Sequence, residues 1–153
     1  IIISILFAKK NNHETFKYLD MVAVVAPIGI FFGRIANFIN SELYGTETTV
    51  PWAVKFIQID DLYRHPSQLY EAILEGFILF LILIIIYFKK DYKIGTCSYT
   101  FLIFYGIFRI ISEFFREPDI QLGYLFGTLT MGMLLSAFMI LFGVILYGKK
   151  NDL

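Results

Sequence analysis

The sequence predicts an all-α fold, a polytopic transmembrane helical bundle that forms a single integral membrane domain over residues 1–153. Hydrophobic residues make up 58% of the 153 residues, and the mean hydropathy is +0.68, whereas soluble domains are about 45–50% apolar. Several apolar runs also approach the roughly 20 residues that cross a hydrocarbon core about 30 Å thick. Each run is expected to be helical, because backbone polar groups in lipid must be satisfied within their own segment.

About four full spans are expected, together with the end of one more at residues 1–8. The four segments cover residues 18–38, 69–88, 96–115 and 124–147. Because the chain starts at Ile1 within an apolar run, we interpret it as the C-terminal part of a longer protein.

One long stretch, residues 46–61, has no helical pattern. Its alternation at residues 53–59 favours a short hairpin at the membrane interface, with Trp52 as an anchor. We assign residues 46–66 to a loop region on the outer, periplasmic face.

The distribution of basic residues predicts the orientation. One side of the predicted spans carries eight of the nine lysines: Lys9, Lys10, Lys17, Lys89, Lys90, Lys93, Lys149 and Lys150. The positive-inside rule makes this side, and the C-terminus with it, cytoplasmic. All four arginines then lie in the outer half of the membrane or beyond: Arg34, Arg64, Arg109 and Arg116. Topology does not require arginines there, so they need another explanation.

Composition excludes several kinds of site. The formal net charge is zero, which gives no case for a nucleic-acid partner. The single cysteine, Cys97, excludes an internal disulfide and a cysteine-rich metal site. Two histidines are too few for a histidine metal cluster. No metal ion or organic cofactor is therefore expected.

The expected span at residues 96–115 carries charge inside the membrane. Tyr105, Arg109 and Glu113 follow one another at four-residue spacing, so they share one helical face, and Arg116 continues the stripe. A charged side chain within a membrane helix costs a few kcal/mol or more and usually has a function. One interpretation is a neutral ion pair that locks two helices together. The other is an anion site, since the planar fork of arginine meets phosphate oxygens bidentately.

Polar residues also interrupt two other apolar segments. In residues 33–45, Arg34 and Asn37 share a helical face, while Asn40 and Ser41 fit a helix end. In residues 64–76, Glu71 and Glu75 are four residues apart. Unpaired carboxylates at that spacing would repel each other, so at least one is expected to meet an arginine.

These three stretches together resemble the prolipoprotein diacylglyceryl transferase family. Residues 33–45, GRIANFINSELYG, resemble a family signature through Gly33, Arg34, Asn37, Phe38, Glu42 and Gly45. Residues 64–76 and 105–123 resemble two further blocks, in the same order and at similar spacing. The family usually has glycine at Ala36 and glutamine at Met133, and its His-Gly-Gly block should fall upstream of Ile1.

The resemblance implies a transferase that moves the diacylglyceryl group from phosphatidylglycerol to the lipobox cysteine of a prolipoprotein, at the outer leaflet of the bacterial inner membrane. It implies that Arg34 and Arg109 hold the phosphate and that Asn37 and Gly45 help to bind phosphatidylglycerol. Glu42 and Glu113 would orient the arginines, and Tyr105 would add a hydroxyl donor. The base for the thiol is open, with the upstream histidine as the candidate.

Two other functions compete with this interpretation. A transporter or channel fragment would use Arg109 and Glu113 to line a pathway, but no matching halves are visible. A structural membrane assembly protein would use the charges to join helices. If the transferase interpretation holds, the 153-residue chain alone is expected to be inactive, because a catalytic block and several spans would be missing.

Overall fold

The computed structural model describes residues 2–11, 13–118, 123, 125 and 129–151, and it is mainly helical. Helices α1 and α2 cover Ile2–Lys10 and Thr15–Ile39. A two-stranded ladder follows, β1 at Val54–Lys55 and β2 at Tyr63–Arg64. The remaining helices are α3 at Ser67–Tyr87, α4 at Thr96–Glu113 and α5 at Met131–Asn151. The predicted all-α membrane bundle is confirmed.

The number of spans differs from the expectation. Within the described residues, three helices are long and apolar enough to cross a membrane: α2, α3 and residues Met131–Gly148 of α5. The prediction of four is therefore one too many by length and composition. Helix α4 has 18 residues, but hydroxyl groups and the charges of Arg109 and Glu113 make it more polar than the others. The predicted last span at 124–147 starts too early, since its helix begins at Met131; residues 124 and 126–128 lie outside the described residues.

Helix α4 packs antiparallel along α5 through small residues. A Cβ atom on Gly106 would lie 2.7 Å from Ile140 Cγ1 and 2.9 Å from the Ser136 carbonyl oxygen. Small residues allow this approach, which gives van der Waals contact between helices that lipid alone would not drive together. The polar helix α4 is thereby held beside an apolar one.

Helix α3 changes its winding along its length. It is α-helical at Ser67–Glu71, π-helical at Ala72–Ile78 and α-helical again at Leu79–Tyr87. A Cβ atom on Gly76 would lie 2.7 Å from the Cβ of Phe31, so α2 and the π-helical segment touch at this glycine. Short π-helical segments occur often at functional sites.

At the lysine-bearing end of the bundle, a buried carboxylate joins α2 to the start of α4 through hydrogen bonds. Asp20 of α2 is fully buried and accepts hydrogen bonds from the Tyr92 hydroxyl and the Gly95 amide. Its other oxygen accepts from the Ser98 amide at 2.7 Å and from the Ser98 hydroxyl at 2.6 Å. Asp20 therefore satisfies backbone donors at the start of α4 that the helix cannot satisfy itself. Burial and the bond to Asp20 raise the pKa of Tyr92.

Replacing Asp20 with alanine is expected to lower the free energy of unfolding by about 2–5 kcal/mol, because each buried donor left without an acceptor costs about 1–3 kcal/mol. Unfolding of the full-length protein in mixed micelles by sodium dodecyl sulfate, followed by circular dichroism, measures this. Asp91→Ala is the matched control, since Asp91 is exposed in the neighbouring loop. Equal stability of the two variants would contradict the role of Asp20.

Part of the chain segment that connects α2 to α3 forms a short β-hairpin. Val54 pairs with Arg64 and Lys55 with Tyr63, so the ladder is shorter than the alternation at 53–59 suggests. The Arg64 guanidinium lies 2.7 Å from Asp60 and 3.3 Å from Glu117. It also donates to the Gly45 carbonyl oxygen at 3.1 Å. Arg64 therefore ties the hairpin to the chain segments that follow α2 and α4, and its hydrogen bond lowers the pKa of Asp60.

Candidate active site

Charged side chains from three helices and the segment after α4 converge inside the bundle. They form a cluster of three guanidinium groups and three carboxylates: Arg34, Glu71, Glu75, Arg109, Glu113 and Arg116. Both carboxylates of α3 are fully buried. We call these six residues the charge cluster. Because its formal charges balance, each buried ion has a partner that offsets part of its loss of hydration.

Glu71 lies at the centre of the charge cluster. Its Oε2 atom is 2.8 Å from Arg34 Nε. Its Oε1 atom is 2.8 Å from Arg109 Nη1 and 3.5 Å from Arg116 Nη1. One carboxylate therefore joins α2, α4 and the segment after α4.

Glu75 makes a second bridge between the same two arginines. Its Oε2 atom lies 3.3 Å from Arg34 Nη2, and its Oε1 atom lies 3.6 Å from Arg109 Nη1. Arg34 and Arg109 are thus held on opposite sides of two carboxylates. Since Glu75 belongs to the π-helical segment, the local winding of α3 helps to direct both carboxylates to this place.

Glu113 completes the partners of Arg109. Its Oε2 atom lies 2.7 Å from Arg109 Nη2, one helical turn earlier on α4. A Cβ atom on Gly132 would lie 2.8 Å from Glu113 Oε1, so the glycine leaves the space that this carboxylate fills. The predicted pairing of Arg109 with Glu113 is present.

The two arginines keep donors that the ion pairs do not use. Arg34 engages Nε and Nη2, and Arg109 engages Nη1 and Nη2. Among the described residues, Arg34 Nη1 and Arg109 Nε have no acceptor. The side chains of Arg34 and Arg109 are 16% and 12% exposed, so neither is fully enclosed, and the ion pairs fix the positions of both guanidinium groups.

Two further residues of the predicted site lie beside the arginines. Tyr105 is one turn before Arg109; it is half-buried, and its ring stacks on Phe101 at 5.5 Å between centroids. Asn37 is one turn after Arg34 and is also half-buried. Within the described part of the chain, neither polar side-chain group makes a hydrogen bond. Both are free to donate to a ligand held by the arginines.

Glu42 does not orient an arginine, contrary to the expectation from the sequence. Its side chain is exposed and makes no ion pair with the described residues. The helix ends before it, and the backbone then takes left-handed conformations at Ser41, with φ of 58°, and at Leu43, with φ of 54°. Glu42 therefore leaves the face that carries Arg34. Its carbonyl oxygen accepts a hydrogen bond from Gln68 at 2.6 Å, which fixes this turn to α3.

Gly45, which the resemblance places in lipid binding, lies where several backbone segments meet. It is buried, its amide donates to the His65 carbonyl oxygen at 3.1 Å, and its carbonyl oxygen accepts from Arg64. A Cβ atom here would lie 2.4 Å from the His65 oxygen and 2.5 Å from the Phe115 oxygen. Both of its backbone groups are used in these contacts. The glycine allows three backbone segments to meet, which is a packing role.

The sequence reasoning left Glu71, Glu75 and Arg116 out of the predicted site. The sequence did show two carboxylates, Glu71 and Glu75, four residues apart in an otherwise apolar helix. From this spacing we expected only that at least one of them would meet an arginine. In the structure, Glu71 meets three arginines and Glu75 meets two. Spacing along one helix cannot show that a residue joins two other helices.

Comparisons with known proteins agree with the motif blocks. Residues 1–148 match the family model described as prolipoprotein diacylglyceryl transferase. A relative from Rickettsia bellii is 50% identical over 153 residues, which cover 99% of this chain and 58% of the relative. One from Rhizobium leguminosarum is 54% identical over 144 residues, which cover 92% of this chain and 51% of the relative. One from Campylobacter lari is 47% identical over 146 residues, which cover 95% of this chain and 52% of the relative. Each relative carries the name phosphatidylglycerol–prolipoprotein diacylglyceryl transferase. The chain spans slightly more than half the length of these relatives.

Proposed function

The chain belongs to the prolipoprotein diacylglyceryl transferase family, and from this premise we propose that the full-length protein transfers the diacylglyceryl group of phosphatidylglycerol to the lipobox cysteine of prolipoproteins. The observation that supports this most is the meeting of Arg34 and Arg109 on the shared carboxylates Glu71 and Glu75. Two motif blocks that are far apart in the sequence thereby contribute one arginine each to a single place in the bundle.

The proposed reaction is a displacement at carbon. The cysteine sulfur of the substrate attacks the glyceryl carbon that carries the phosphate, and a carbon–sulfur bond forms. The carbon–oxygen bond to the phosphate breaks, and glycerol phosphate leaves with that electron pair. The thiol proton goes to a base. The products are a thioether-linked diacylglyceryl cysteine and glycerol phosphate.

Arginine serves the leaving group in this reaction. The phosphate changes from a monoanionic diester to a monoester that gains charge as the bond breaks. Guanidinium groups fixed beside it stabilise that developing charge without having to reorganise. We assign this contact to Arg34 and Arg109, with Asn37 and Tyr105 as additional donors to the headgroup.

The carboxylates act through the arginines. Glu71 and Glu75 are fully buried and hold both guanidinium groups, and Glu113 holds Arg109 from its own helix. We assign all three to positioning. The base is proposed to be the histidine of the family's His-Gly-Gly block, which this sequence does not contain.

The chain has the apolar helices of a multi-pass bacterial membrane protein. We further propose the cytoplasmic membrane as its location. The lysine-bearing end and the C-terminus would face the cytoplasm, residues 46–66 would lie outside, and the charge cluster would face the outer leaflet.

The test is an assay of the full-length protein in vesicles. The donor is phosphatidylglycerol labelled in its acyl chains, and the acceptor is a peptide with a lipobox cysteine. We expect the label to reach the peptide as a thioether, with release of glycerol phosphate. A peptide with serine in place of the cysteine, and phosphatidylcholine as donor, should both give no product. A well-folded full-length protein that transfers nothing would contradict the proposal.

A further inference from the structure

A cavity lies at the lysine-bearing end of the bundle, and its lining contains no residue of the charge cluster. Its volume is about 480 Å³, and it opens where α3 ends and α4 begins. The residues that line it include Lys89, Lys93, Thr96, Thr100, Phe104 and Tyr147. None of the described residues that line it belongs to the charge cluster, so the cavity is separate from the candidate active site.

The residues of α4 that line this cavity change from polar to apolar along the helix. Thr96, Thr100 and Phe104 lie at successive four-residue steps, so they share one helical face. Over about 12 Å of helix, hydroxyl groups give way to an aromatic ring, with Tyr147 of α5 on the facing side. A phospholipid has the same order along its length: a charged phosphate, polar ester oxygens, then acyl chain.

The mouth of the cavity is positively charged. Lys89 and Lys93 are exposed, and neither forms an ion pair with any residue in the described part of the chain. Asp91 is the acidic residue of the lining, so the lining keeps a net positive charge. The amides at the start of α4 already donate to Asp20. An anion here would therefore be held by the ammonium and hydroxyl groups and not by the helix end.

We propose that this cavity binds an anionic glycerophospholipid of the leaflet at the lysine-bearing end. The phosphate lies between Lys89 and Lys93, and Thr96 and Thr100 face the glycerol ester oxygens. One acyl chain runs inward past Phe104. Basic pockets between membrane helices suit anionic headgroups in this way, and each lysine near the membrane surface adds to the attraction.

Binding of phosphatidic acid to the full-length protein, measured by native mass spectrometry, tests the proposal. Phosphatidylcholine with the same acyl chains is the neutral comparison. The Lys89→Gln/Lys93→Gln variant should bind phosphatidic acid roughly 30-fold more weakly than the wild type. Lys90→Gln removes an exposed lysine of the same loop that does not line the cavity, and it should bind as the wild type does.

Two further measurements distinguish a lipid-binding site from a surface that attracts any anion. Thr100→Trp fills the middle of the cavity while it keeps both lysines, and it should lose the bound lipid. Inorganic phosphate at millimolar concentration should not displace the lipid. Equal binding by the wild type and the double lysine variant, full binding by Thr100→Trp, or displacement by phosphate alone would overturn the proposal.

Discussion

Replacing Arg109 with lysine is expected to lower kcat/KM for diacylglyceryl transfer by about a hundredfold to a thousandfold, the range seen when one fixed donor to developing charge is removed. Lysine keeps the positive charge but replaces a planar fork with one ammonium group. Arg109 contacts Glu71, Glu75 and Glu113 through two nitrogen atoms, and one ammonium cannot hold those carboxylates and also donate to a phosphate.

The assay for this prediction compares initial rates over a range of phosphatidylglycerol concentrations in the full-length protein. Arg64→Lys is the matched control, because Arg64 pairs with Asp60 and Glu117 outside the charge cluster. It should keep transfer within severalfold of the wild type. If Arg109→Lys transfers as fast as the control while both variants insert and fold, Arg109 only joins helices and has no part in the reaction.

Replacing Glu71 with glutamine is expected to lower the free energy of unfolding by about 3–5 kcal/mol, because it leaves buried positive charge uncompensated. The substitution keeps the size of the side chain and removes its charge. Three arginines lie within 3.5 Å of this carboxylate, whereas Glu113 contacts one. Transfer should fall as well, since Arg34 and Arg109 lose a shared anchor.

Unfolding by sodium dodecyl sulfate in mixed micelles measures the stability of this variant. Glu42→Gln is the matched control, because Glu42 is exposed and makes no ion pair with the described residues. It should unfold with the wild type. A Glu71→Gln protein as stable as the Glu42→Gln protein would contradict the role of Glu71 as the charge that compensates the buried arginines.

The class of fold and the existence of each helix could be predicted from the sequence. An apolar run of this length in a membrane satisfies its backbone hydrogen bonds by forming a helix. Among the described residues, three helices meet the length and apolar content of a membrane span, one fewer than expected, because α4 is long but polar and packs closely along α5 at Gly106. Apolar content alone cannot separate a helix that faces lipid from one that is covered by its neighbours.

The members of the site could be predicted only in part. Arg34, Arg109 and Glu113 stood out because charge is costly in an apolar segment, and all three lie in the charge cluster. The role expected for Glu42 came only from the resemblance, and no local pattern shows that Ser41 and Leu43 take left-handed conformations that turn Glu42 away from Arg34. The central position of Glu71 depends on how α2, α3 and α4 pack against one another. A local sequence pattern does not predict that packing.

The charge cluster also has a consequence for how the protein is made. Helix α2 carries Arg34, α3 carries Glu71 and Glu75, and α4 with its following segment carries Arg109, Glu113 and Arg116. Within the charge cluster, α2 and α3 together have one excess negative charge. The residues of α4 and its following segment have one excess positive charge, which neutralises it. During synthesis, α2 and α3 therefore cannot settle in lipid as independent helices at low cost. They are expected to wait at the protein-conducting channel, or beside each other, until α4 emerges and the three enter the bilayer as one unit.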